Sequence, residues 1–164
     1  MPITHVHTEV SNRARAGPFP RGGRALPARD TEFVSLQEAY RASGGIARGE
    51  SLAQRMSLVG PGGYLDLARR IASGELFSFR WHDDFWLPIF QFEPLHLMPR
   101  EAPRRVLSEL HGALDGWAVA HWYVTASLAL DDHRPLDLLD SDLPAVLVAA
   151  RSARADARRC ALPI

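Results

Sequence analysis

His82, Asp83 and Asp84 are consecutive in this chain, and Asp131, Asp132 and His133 bring the same residue types together again. An imidazole beside two carboxylates is a donor set that suits a divalent cation. Aspartate is equally a favoured turn residue, because its side chain bonds nearby backbone amides. Residues 82–84 fall where a hairpin tip is predicted, so both triplets are read as turns. Cys160 is a thiol near the C-terminus with no base fixed beside it, a poor nucleophile. His5 and His7 stand in a segment without apolar periodicity, and His121 on an apolar helical face reads as a core histidine. No HExxH, CxxC pair, Walker loop or GxGxxG occurs, and Gly60-Pro61-Gly62-Gly63 lacks both a following lysine and a preceding strand. No active site assembles from these residues. The chain is therefore read as a non-enzyme that uses no cofactor and no metal.

The charge-bearing chemistry is arginine. All nineteen basic residues are arginine and they balance nineteen acidic ones, so the formal net charge is zero. Whole-surface attraction to nucleic acid is not expected, and any such binding needs a local patch. Exclusive use of arginine has two readings: GC-rich codons, or bidentate pairing with carboxylate and phosphate. Arg13, Arg15, Arg21, Arg24 and Arg29 meet no acid between Glu9 and Asp30. Such an arm can follow a phosphate backbone, but its proline and glycine content reads first as a solvated, disordered leader over 1–30.

The elements that position these groups follow from apolar spacing. Phe33, Leu36, Ala39 and Tyr40 recur at helical intervals until Gly44-Gly45. ARGESLAQRMSLV carries Leu52, Met56 and Val59 on one side of a second helix. YLDLARRIASGEL gives a third, with Leu65, Ala68 and Ile71 inward. The first two helices and their glycine turn have the form of a helix-turn-helix, with Ala39 and Leu52 at a close crossing. In that arrangement Arg48, Ser51, Gln54 and Arg55 face a DNA groove, although Glu50 repels phosphate there. An ordinary helical pair is the equal alternative. Beyond Pro99 come helices on Val106, Leu107, Leu110 and Leu114, on Trp117, Ala120, His121 and Val124 after an Asp115 cap, and on Val146, Leu147 and Ala150 after Ser141.

Between the two helical sets the period changes to two. FSFRWHDDFWLPIFQFE (77–93) holds seven of the chain's fourteen Phe, Trp and Tyr residues. A two-residue turn at Asp83-Asp84 pairs Trp81 with Trp86, Phe79 with Pro88 and Phe77 with Phe90, all on one face. Pro88 cannot donate to a ladder, which leaves one neighbouring strand at that point. A lone hairpin is marginal in water, so helices must cover this one. Its rings then form a structural clasp rather than a ligand cage.

Four stretches in order resemble the antitoxin family named after Xre, MbcA and ParS. LPIFQFE (87–93) is similar to a Pro-x-Phe-Gln-Phe strand. DGWAVAHWYVT (115–125) is similar to a segment that precedes a Thr-Pro-Asn turn. LALDDHRPLDLLD (128–140) is similar to a Leu-x-Gly-x-Arg-Pro-x-x-Leu-Leu loop, and SDLPAVLVAAR (141–151) to a closing helix. YRASGGIARGESLAQ is similar to the front segment of long members. Here Thr125-Ala126-Ser127 replaces Thr-Pro-Asn, and Asp131-Asp132 replaces the loop glycine.

The resemblance implies a C-terminal unit that holds a cognate toxin, often a RES-domain protein that consumes NAD. It also implies front helices that bind the operon's promoter where they keep helix-turn-helix character. Carried onto this chain, Arg134 and Pro135 belong to the matched loop, while Arg151, Arg154 and Arg158 lie near the toxin; Arg134 equally can tie its loop to Asp137.

The expectation is thus a mainly α protein in four parts. These are a disordered arm (1–30), a helix-turn-helix-like unit (31–76), a β-hairpin plus helical toxin-binding unit (77–154) and a flexible tail (155–164). Its expected activity is antitoxin-like neutralisation of a toxin, as a homodimer, with promoter DNA as a second partner. The alternative is a stand-alone DNA-binding regulator. One cysteine, no signal-like apolar run and no membrane-length segment make the expected location cytoplasmic.

Overall fold

The computed structural model describes residues 28–160. The expectations for His5, His7, the arginines before Arg29, and residues 161–164 fall outside the described residues. The fold is mainly α with a small antiparallel sheet. The helices are α1 (Ala28–Tyr40), α2 (Gly49–Val59), α3 (Tyr64–Ala72), α4 (Glu101–Leu110), α5 (Gly116–Val124), the short α6 (Pro135–Leu138) and α7 (Leu143–Cys160). The strands are β1 (Ile46–Arg48), β2 (Phe79–Trp81) and β3 (Asp84–Pro88), in the order β1-β3-β2.

The hairpin forms, with its turn one residue earlier than expected. His82 and Asp83 are the loop, His82 at φ 51°, and Phe79 pairs with Trp86 and Trp81 with Asp84. Moving the turn by one residue shifts each cross-strand partner by two, so every side chain keeps its face. Asp84 is thereby freed from the turn to meet Arg48 across the sheet at 2.7 Å.

The second strand also gains a neighbour that apolar spacing did not reveal. β1 lies on its other side, with Ile46 opposite Pro88 and Arg48 opposite Trp86. At Pro88 itself β1 is the partner, since β2 pairs no further than Trp86. The three residues of β1 are too few to show a period of two.

This sheet is a wall between two cores. One face meets α1, α4, α5 and α7, burying Phe33, Tyr40, Phe79, Val106, Tyr123 and Val146 among others. The opposite face meets α2 and α3, burying Leu52, Met56, Leu67, Leu87 and Phe92. Phe77, Phe79, Phe90 and Phe92 are all buried, so these rings are dry and helix-covered. Phe33 stacks on Trp81 with centroids 3.8 Å apart, Tyr40 on Phe90 at 5.7 Å and Phe77 on Tyr123 at 5.8 Å. Such pairs add about 0.5–1.5 kcal/mol each beyond the area they bury.

Four helices differ from their sequence pattern. α1 starts at Ala28, earlier than the proposed arm boundary. Arg29 lies 4.8 Å over Trp117 and Asp30 accepts the Trp81 indole N–H at 3.0 Å, so these two residues fasten α1 to the hairpin and to α5. α3 buries Leu67, with Ile71 one turn on, while Leu65 is 85% exposed. Leu65 and Leu67 lie about 200° apart on a helix, so burying Leu67 in the second core turns Leu65 outward, with Asp66 and Arg70, bonded at 2.8 Å, half-sheltered beside it. α7 runs through the proposed tail to Cys160, and Ala153 packs against the larger core. On α2, Val59 is nearly half exposed, and Ala53 joins Leu52 and Met56 inward.

Candidate functional site

The Gln91 side chain organises the surface above it. The chain leaves β3 through a 3-10 turn at Ile89–Gln91, which takes Gln91 off the ladder. Its side chain then replaces the missing strand. Oε1 accepts the Phe77 N–H at 2.8 Å, and Nε2 donates to the carbonyls of Phe77 and Pro88, both at 3.1 Å. Gln91 is 2% exposed, the one buried polar residue among those described.

Three elements converge on this turn to form a groove of about 700 Å³. The end of α1 supplies one wall, where Gly44 sits at φ 100°. A Cβ there would stand 3.0 Å from the Ile89 side chain, so only glycine lets the two segments close. Ile89 donates its N–H to Gly45 at 2.9 Å, which fixes that wall to the sheet. The segment from Ile89 to Leu97 is the floor, and α6 is the far wall through Arg134, Leu136 and Asp137.

Three arginines from three elements line the groove: Arg55, Arg100 and Arg134. Arg100, just before α4, donates from Nη1 to the Phe90 carbonyl at 3.0 Å and pairs with Asp140. Arg134, just before α6, holds Asp137 through Nε and Nη2, each at 2.7 Å. This fork raises the Arg134 pKa through the hydrogen bond to Asp137. Arg55 has no hydrogen bond or ion pair among the described residues.

The expected DNA-reading set divides here. Arg48 is committed to Asp84, whose hydrogen bond raises its pKa. Ser51 and Gln54 are exposed on α2, and Arg55 turns to the groove. The expected α1–α2 pair is not the packed one. β1 intervenes, α1 packs on α5, and α2 packs on α3 with Leu52 in the second core. A helix-turn-helix crossing at Ala39 and Leu52 is therefore replaced by two helices on opposite faces of one sheet.

The expected toxin-facing set divides as well. Arg134 lines the groove and Pro135 is buried beneath it. Arg151 and Arg154 both reach Glu109 of α4, at 3.1 and 3.6 Å, and lock α7 to α4. Arg158 is exposed in the last turn of α7. The structure thus joins Arg55, which helical spacing assigns to DNA, to Arg134, which the resemblance assigns to a toxin. Arg100 escapes a sequence reading because its partner Asp140 is 40 positions away and no local pattern links them.

Of the first acidic triplet, His82 and Asp83 form the hairpin turn while Asp84 opens β3; the second triplet is a turn. His82 stands 3.3 Å from Asp30. Asp131 and Asp132 both take left-handed backbone, at φ 51° and 60°, and His133 Nδ1 lies 3.0 Å from the Leu130 and Asp131 carbonyls. Aspartate tolerates that conformation better than most residues. It is the conformation a loop glycine would supply. His121 stacks on Trp117 at 6.1 Å. Among the described residues no three His, Cys, Asp or Glu side chains gather as a metal site, and no helix is long and apolar enough to cross a membrane.

No family model, curated protein or solved structure matches this chain.

Proposed function

We propose that the chain is an antitoxin-like binding protein that holds and neutralises a cognate toxin, of the NAD-consuming RES type that the resemblance implies. The observation that carries this reading is the role of the four resembling stretches. LPIFQFE closes β3 with Leu87 and Pro88 and forms the Gln91 turn, DGWAVAHWYVT forms α5, LALDDHRPLDLLD forms the loop and α6, and SDLPAVLVAAR opens α7. They build a continuous unit, and its polar outer residues are left to meet a partner. Arg158 is exposed, and Arg134 is partly exposed while paired with Asp137, at two places on that unit.

Co-expression with the adjacent gene product tests the proposal. The expected result is a stoichiometric complex that survives purification and restores growth. Neither binding nor rescue removes the reading. Light scattering on the free chain tests the accompanying proposal of a homodimer. A second reading, a DNA-binding regulator, draws on the exposure of Ser51, Gln54 and Arg55 along α2. It predicts that Gln54→Ala with Arg55→Ala weakens promoter binding at fixed low salt, and unchanged affinity excludes that helix.

A further inference from the structure

The groove at the Gln91 turn has a charge balance that selects its occupant. Two of its guanidiniums are already matched, Arg100 by Asp140 and Arg134 by Asp137. Arg55 alone lacks an acceptor, so the groove carries an excess of one positive charge. A phosphate chain would bring repeated negative charge against Asp137 and Asp140, whose side chains are 44% and 72% exposed. A single carboxylate meets Arg55 as a two-pronged acceptor without that repulsion. Beside it, Ile89 and Leu136 are only partly buried and present apolar surface. A volume of about 700 Å³ is within the usual range for a built binding site.

We infer that this groove receives a short segment of a partner protein that carries one carboxylate flanked by aliphatic or aromatic side chains. The inference deepens the toxin-binding reading and rests on it, naming the chemistry that the toxin presents. The Arg55 guanidinium takes the carboxylate, and the apolar neighbours lie over Ile89 and Leu136. Arg100 and Arg134 hold the walls apart at fixed positions.

Selection of random heptapeptides displayed on phage against the full chain tests this directly. The expected sequences carry one Asp or Glu beside Leu, Ile or Phe. A synthetic peptide of the selected sequence should bind Arg55→Glu at least tenfold more weakly than the parent, and Arg55→Lys should recover part of the loss. Arg55 is exposed and unpaired, so the thermal midpoint of Arg55→Glu should match the parent, which separates lost binding from lost folding. Inorganic pyrophosphate at equal concentration should not displace the peptide. Overturning results are no enrichment, enrichment of basic peptides, binding indifferent to Arg55, or displacement by pyrophosphate. A toxin complex that persists with Arg55→Glu removes the groove but keeps the toxin reading. Absence of any complex with the parent chain removes that reading instead.

Discussion

Replacing Gln91 by leucine should destabilise this protein more than any surface substitution, because three backbone groups depend on that one side chain. The leucine keeps the volume and apolar contacts, so the loss is one of hydrogen bonding. The Phe77 N–H and C=O, now bonded at 2.8 and 3.1 Å, lose their partner in a site shielded from water. The Pro88 carbonyl loses its donor as well. A buried polar group left unpaired costs about 1–3 kcal/mol. Two such groups at Phe77 therefore give a loss of roughly 2–6 kcal/mol, a large part of the ~5–15 kcal/mol that holds a domain. At ~2–4 °C per kcal/mol for a chain of this size, the midpoint falls by roughly 4–24 °C.

Urea denaturation of both proteins, with the slope unchanged, measures the difference. Amide exchange at Phe77 locates it. Gln91→Glu sharpens the test through its pH dependence. A carboxylate still accepts from the Phe77 N–H, but its second oxygen then faces two carbonyls. Only the protonated acid can donate to one of them, so folding should raise this glutamate's pKa. Stability of that variant is then fully present below the unfolded pKa of about 4.3 and declines as pH rises above it. A Gln91→Leu chain within about 0.5 kcal/mol of the parent, the range of an ordinary surface substitution, would refute the reasoning.

Three further outcomes are expected. Gly116→Ala should lower stability by about 1–3 kcal/mol or prevent folding, because its Cβ would stand 1.9 Å from the Ser78 carbonyl oxygen and backbone cannot step aside; denaturant midpoints read this. Burial raises the pKa of Tyr40 and of Tyr123, so both phenols stay protonated in the fold. That stability is fully present below the unfolded tyrosine value of about 10 and falls above it, by up to ~1.4 kcal/mol per pH unit for each ring. The chain has no lysine to mask this alkaline limb, and Tyr40→Phe with Tyr123→Phe should flatten it in thermal melts between about pH 8 and 11. Asp132→Gly should raise stability by about 0.5–1 kcal/mol, since glycine adopts φ 60° without a Cβ penalty, whereas Asp132→Val should lower it.

The sequence alone determined what repeats at short range. Helical spacing in α1, α2, α4 and α5, the switch to period two at Phe77, and the Asp115 cap, which accepts the Ala118 N–H at 2.8 Å, are local regularities. A two-residue loop with alternating apolar neighbours was enough to fix which side chains of the hairpin share a face, even with the turn displaced by one residue. Tertiary structure decided everything that depends on a distant partner. β1 is a strand because β3 offers it a free edge, not because three residues prefer extension. α3 turns Leu67 inward because Leu52, Met56 and Leu76, brought together by folding, form the core that buries it. Arg55, Arg100 and Arg134 become one site because α2, α4 and α6 meet at the turn that Gln91 holds. The physical reason is common to all three. A side chain's neighbours along the chain set its preferred direction, but the free energy of burial and pairing comes from groups brought together by folding, and it overrides preferences worth a few tenths to about 1 kcal/mol.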